Sequence, residues 1–177
     1  MVGLATPTDL TAYESGDPQT ILDQAGEAIR SYCGWIIAPA ETVTVKIDGG
    51  GSQHLWLPTL KLTDVTAVTN QDDVVDLSTL DWSESGYLQL RSGHWSTRPR
   101  GVEVTMTHGY VETPADVMGV IVGIASRAVA SPSGIVGSTA SGPFAVSYIA
   151  ADGVAGGLLL MQHERAILDH YKLPPRA

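Results

Sequence analysis

Apolar residues recur three and four apart near the start of the chain, at Ile21, Leu22, Ala25, Ala28, Ile29 and Tyr32. Asp23, Gln24, Glu27 and Arg30 occupy the positions between them. This spacing predicts an amphipathic helix. Asp17 suits its N-cap, Pro18 its first position, and Gly34 its stop. From Thr42 to Tyr110 the period changes to two. Val43, Val45 and Ile47 alternate with Thr42, Thr44 and Lys46, and Asp48-Gly49-Gly50-Gly51-Ser52 then leads into His54-Leu55-Trp56-Leu57. Two alternating runs around a glycine-rich turn predict a hairpin. Leu60-Lys61-Leu62 with Val65 and Val68, then Tyr87 to Arg91, then Gly101 to Thr107, predict further strands. The region reads as a small, mostly antiparallel β-region, a sandwich or a curled sheet.

A second helix is expected after Thr113-Pro114, with Asp116 near its first turn. Its body is Val117, Met118, Val120, Ile121, Val122, Ile124, Ala125, Ala128 and Val129, apolar on nearly every face. A helix on the surface of a monomer carries one apolar stripe. This one needs cover on two sides, from its own chain or from a neighbouring subunit. Gly119 and Gly123, four apart, would admit another backbone. Gly119, Val120, Gly123, Ile124 and Arg127 are therefore the candidate subunit contact. An uncharged Ser/Gly/Ala/Thr stretch from Ser131 to Pro143 predicts a mobile loop. A strand at Phe144 to Ile149 and a last helix from about Leu159 to Lys172 follow, ended by Pro174-Pro175. The expected fold class is α+β in a single domain over residues 1–177, with a β-rich insertion at about 42–110 and a C-terminal segment at about 158–177.

Charge narrows the function. Ten Lys and Arg against nineteen Asp and Glu leave a net −9, whereas proteins that grip nucleic acid broadly are usually basic. Three of the ten cations, Arg91, Arg98 and Arg100, nevertheless fall in one short stretch with His94 and Trp95. That makes Arg91, Trp95, Arg98 and Arg100 a candidate tip for a phosphate backbone or a protein partner. The single cysteine, Cys33, excludes an internal disulfide or a multi-thiolate zinc site, and its place in the first helix predicts a small buried side chain. The N-terminus lacks the basic start and apolar run of a signal peptide, and Val117–Ala130 is too short to span a bilayer. A cytoplasmic site of synthesis and no membrane contact are expected.

Catalytic patterns fail on inspection. His163-Glu164 is followed by Ile167 where a zinc-protease motif needs His. No serine is flanked as in a nucleophile elbow, and Gly49-Gly50-Gly51-Ser52 lacks the lysine of a phosphate loop. In Asn70-Gln71-Asp72-Asp73-Val74-Val75-Asp76, Val75 replaces the glycine of a calcium loop. No catalytic residue, metal or cofactor is expected.

The run Arg100-Gly101-Val102-Glu103-Val104-Thr105-Met106-Thr107-His108-Gly109-Tyr110, followed by Thr113-Pro114-Ala115-Asp116-Val117, resembles the head-to-tail adaptor (connector) proteins of long-tailed bacteriophages. The actinobacteriophage branch is the most similar. Tyr32-Cys33-Gly34-Trp35, Leu57-Pro58-Thr59-Leu60, Leu62-Thr63-Asp64-Val65, Phe144 to Tyr148 and Glu164 to Lys172 fit the same ordered pattern. One departure is Met161, where the family commonly has a capping threonine, so the last helix is expected to fray at its start. The resemblance implies a virion protein at the capsid vertex: a ring, expected to be twelve-fold, that binds the portal, surrounds a DNA channel and carries the stopper or tail. It also implies that the C-terminal segment engages the portal, making Glu164, Arg165, Ile167, Leu168, Tyr171 and Lys172 the candidate docking residues. DNA would slide past an acidic wall without specific binding, with Asp72, Asp73, Asp76 and Glu84 as candidate lining. The competing expectation is a small β-rich virion or surface module that recognises a protein or carbohydrate through Trp35, Trp56, Trp82 and Trp95.

Overall fold

A computed structural model describes residues 17–130, 138–141, 144–147 and 158–174. The fold is α+β. It divides into two compact units, a helical one from residues 1–33 and 114–172 and a β unit from residues 34–113 and 173–177.

In the helical unit, α1 spans Pro18–Cys33 and buries Ile21, Ala25, Ile29 and Cys33 along one stripe. Asp17 caps it as expected, accepting from the Thr20 N–H at 2.9 Å and from the Thr20 hydroxyl at 2.7 Å. Those bonds hold the Asp17 carboxyl below its usual range. Gly34 stops the helix at φ +82°, a left-handed conformation that glycine adopts without strain. Helix α2 spans Ala115–Ala130 and turns Val117, Val120, Ile124, Ala125 and Ala128 inward, where Ala125 and Ala128 pack with Ile21 of α1. The last helix, α3, is shorter than expected, Gln162–Leu168, and runs into a 3-10 turn at Asp169–Tyr171. Among the described residues no helix is long and apolar enough to cross a membrane.

The β unit holds two antiparallel sheets. The first has four strands in the order β1 (Glu41–Ile47), β7 (Val102–His108), β3 (Leu62–Asn70) and β4 (Asp73–Val74). The second has three, β2 (His54–Trp56), β6 (Tyr87–Leu90) and β5 (Leu80–Ser83). One core joins Ile47, Val68, Val104 and Met106 of the first sheet to Leu55, Leu80, Leu88 and Leu90 of the second. Strand β7 shows the cleanest alternation, with Val102, Val104, Met106 and His108 inward. In β3 the buried residues Leu62, Val65 and Val68 are three apart, a spacing that an ideal strand would send to opposite faces. Register shifts between Leu62 and Asp64 and between Val65 and Ala67 bring them back to the core. A further antiparallel pair, β8 (Ser138–Ser141) and β9 (Phe144–Ser147), follows α2 in sequence. The mobile loop expected over Ser131–Pro143 lies largely outside the described residues.

The hairpin expected between Val43–Ile47 and His54–Leu57 does not form. Strand β1 pairs with β7 and β2 with β6, in different sheets. Gly49 explains the misreading. A Cβ there would lie 2.4 Å from the Ser96 carbonyl, so the glycine serves a close crossing of the 91–101 loop. Gly50 and Gly51, both at positive φ, then swing the chain from one sheet to the other.

Candidate functional site

The expected basic tip is dismantled by packing. Trp95 is 1% exposed in the β core, and its indole N–H donates to the Gln53 carbonyl at 2.9 Å. Asn70 pins the same loop, donating to the His94 carbonyl and accepting from the Ser96 N–H. Arg91 is clamped on Asp81 through Nη2 and Nε at 2.7 and 3.0 Å and on the Ser78 carbonyl through Nη1. This pairing lowers the Asp81 pKa and raises that of Arg91. Arg98 lies 3.9 Å from Asp72. Arg100 is exposed, and its backbone N–H is held by Asp48. The four residues do not form one basic-aromatic surface. The acidic candidates are all exposed. Glu84 is paired with Lys61, and Asp76 caps the 3-10 turn at Leu77–Thr79.

What the β unit does expose is a different aromatic group. His54 and Tyr87 stack at 5.4 Å between ring centroids, and Trp56 lies 4.7 Å from Tyr87. The Tyr87 hydroxyl and His54 Nδ1 are hydrogen-bonded. Trp56 is 63% exposed. A mostly apolar groove of about 670 Å³ runs beside this group, lined by residues that include Gly50, Trp56, Leu57, Leu60 and Pro174. The tryptophan at position 56 was visible in the sequence, but its company was not, because His54 and Tyr87 come together only through the β2–β6 register.

In the helical unit the C-terminal segment is firmly held. Glu164 is 3% exposed. Its carboxylate takes Arg127 Nη1 and Nη2 at 2.7 and 2.9 Å and the Met161 N–H at 2.8 Å. The last contact caps α3 from within, so the fraying expected at Met161 is averted by the glutamate three residues on. Arg127 also donates to the Leu159 carbonyl. Leu168 is fully buried. The Tyr171 hydroxyl donates to the Asp116 carboxylate at 2.9 Å, Tyr32 donates to Asp169 at 2.6 Å, and Lys172 sits over the Tyr32 ring. Of the candidate docking residues, Glu164 and Leu168 are therefore used inside the unit and are not available as docking contacts. Arg165, Ile167 and Tyr171 are half-buried and Lys172 is exposed.

The candidate subunit contact divides similarly. Val120 and Ile124 are buried in the helical unit itself and Arg127 is ion-paired. An added Cβ at Gly123 would lie 3.5 Å from Glu164 Oε1, so a bulky residue there would press on the buried ion pair. Only Gly119 of the five faces fully outward. Cys33 is buried as expected, and burial pushes its thiol up to about 11. Among the described residues no three His, Cys, Asp or Glu side chains gather as metal ligands.

No protein-family model matches the sequence, and neither does any curated protein. Solved structures do resemble it in fold. One is from the neck of an empty GTA (gene transfer agent) particle computed with C6 symmetry, with TM-score 0.54 and 14% identity over 99% of this chain and 86% of that one. Another is from the neck of a native GTA particle computed with C12 symmetry, with TM-score 0.58 and 16% identity over 99% and 95%. The likeness is one of fold, and it runs nearly end to end in both directions.

Proposed function

We propose that this chain is a structural neck protein of a phage-like particle, an adaptor that assembles as a ring between the portal at the capsid vertex and the stopper or tail. The observation that carries the reading is the end-to-end fold likeness to neck chains of GTA particles, helical unit and β unit together. Three further features support it. The ordered segments around His108-Gly109-Tyr110 and Pro114-Ala115-Asp116 resemble the adaptor family over most of the chain. The net charge of −9 suits a wall that DNA slides past. Two of the three arginines of the 91–100 stretch that would have gripped phosphate, Arg91 and Arg98, face carboxylates, Asp81 and Asp72. The role is mechanical, with virion localisation and no cofactor.

Mixing the purified chain with portal rings tests this. The expected outcome is co-sedimentation, with a single closed ring of adaptor copies counted by native mass spectrometry. A chain that stays monomeric and leaves the portal free would overturn the reading. The exposed His54–Trp56–Tyr87 group beside its groove favours one alternative, a β-rich module recognising a protein or carbohydrate, and glycan-array binding by the monomer would support that instead.

A further inference from the structure

Helix α2 has a second face that the other described residues leave exposed. Val117, Val120, Ile124 and Ala128 point inward, while Met118, Val122 and Val129 stand outward at 45%, 50% and 55% exposure. Gly119 and Ser126 lie on the same outer arc and are exposed. No charged side chain falls on this ridge. The helix's two charged residues, Asp116 and Arg127, sit at its flanks and are engaged by Tyr171 and Glu164 within the unit. Gly119 adds a separate observation. A Cβ there would meet nothing within 4 Å, so no contact among the described residues requires glycine at a position where it weakens a helix relative to alanine.

We propose that the outer ridge of α2, Met118-Gly119-Val122-Ser126-Val129, is the surface through which one copy of this chain packs on the next. The occupant is a second copy for a reason of charge. Copies carrying −9 each repel one another wherever their acidic surfaces meet, so a contact between copies belongs on uncharged surface, and this ridge is uncharged over the full length of a 16-residue helix. A basic partner would be drawn to the carboxylates elsewhere. The inference rests on the ring reading above and deepens it. In a closed ring of more than two copies the contact is heterologous, so the ridge meets a different patch of its neighbour. The missing side chain at Gly119 lets that neighbour's backbone approach closely.

Three variants of the full chain, one of them a control, test the proposal by sedimentation velocity, with thermal unfolding as the folding control. Val122→Glu sets a carboxylate on the ridge. It is expected to raise the concentration needed for half-assembly by about a hundredfold or more and to melt like the parent chain. Val111→Glu, on an exposed residue of the β unit, is expected to assemble normally. Gly119→Gln separates folding from assembly by sign, because it strengthens the helix while placing a long side chain on the ridge. A higher melting temperature with weaker assembly is expected. Parent-like assembly of Val122→Glu and Gly119→Gln, with the parent chain forming rings, would overturn this surface and leave the ring reading standing. A parent chain that never assembles, alone or with portal, would overturn both.

Discussion

Helices α1 and α2 have the same length, 16 residues, and each puts an inward stripe into the same unit. They differ on the other side. The outward face of α1 carries Gln19, Asp23 and Glu27, with Arg30 on its margin paired to Glu27. The outward face of α2 carries Met118, Val122 and Val129. Water is a sufficient neighbour for the first and a poor one for the second. Excess apolarity beyond what the core consumes is what the proposed contact between copies would cover. The residues to suspect are those left over after packing, which are not the ones with the strongest sequence signal.

The largest expected effect tests how α2 is fastened. Glu164→Ala removes the partner of a partly buried arginine and the internal cap of α3 together. A loss of about 3–5 kcal/mol is expected by urea unfolding, whereas an exposed pair such as Arg30–Glu27 should give no more than about 0.5 kcal/mol. A loss below about 1 kcal/mol at Glu164 would mean that α3 is not fastened through α2. Next come matched truncations on the two kinds of face. Ile29→Ala on the inner stripe of α1 should cost about 3 kcal/mol, and Val122→Ala on the outer ridge of α2 within about 0.5 kcal/mol of zero. Equal losses would erase the distinction between used and unused faces. A smaller effect concerns the start of α1, where Asp17→Ala should lower the urea midpoint through the lost cap, by less than Ile29→Ala does.

The last expectation is one of direction and comes from the β unit. His108 is buried at the end of β7 with Nδ1 unpartnered and its ring near Trp35. Burial lowers its pKa from the ordinary value near 6.5, against a smaller opposing pull from Glu41. Above that value both folded and unfolded chains hold a neutral ring. As pH falls below it the unfolded chain takes up the proton first, so stability declines. The melting temperature should therefore drop between about pH 7 and pH 5, and less steeply in His108→Phe. Identical slopes for the two chains would place the acid sensitivity elsewhere.

These outcomes bear on what the amino-acid order revealed. Local signals read well. Asp17, Pro18 and Gly34 bounded α1, and the alternation in Val102 to Thr107 marked β7, because each depends on neighbours within a few residues. Long-range choices did not. Gly49-Gly50-Gly51 looks the same whether it turns a hairpin or lets a distant loop cross, and Ser96, which decides, is 47 residues away. Trp95 read as a tip because it stands among arginines, yet its ring packs in the β core with its N–H on the Gln53 carbonyl. Glu164 read as a docking residue, and only the arrival of Arg127, 37 residues away in sequence, makes its burial tolerable. For the same reason the candidate contact on α2 fell mostly on residues already used within the unit, Val120, Ile124 and Arg127, with Gly119 alone on the outer ridge.

The solitary thiol at Cys33 has a use in the laboratory. It is shielded within the helical unit and strongly protonated at neutral pH, so alkylating reagents should leave the native chain untouched and label it when that unit opens. Trp95, enclosed in the β unit, would report by its emission when the other half comes apart. A single untagged sample would then carry two built-in gauges, one for each half, able to tell whether the halves unfold in one step or two. A cysteine placed at any exposed position would accept a dye alone, without first deleting the native one.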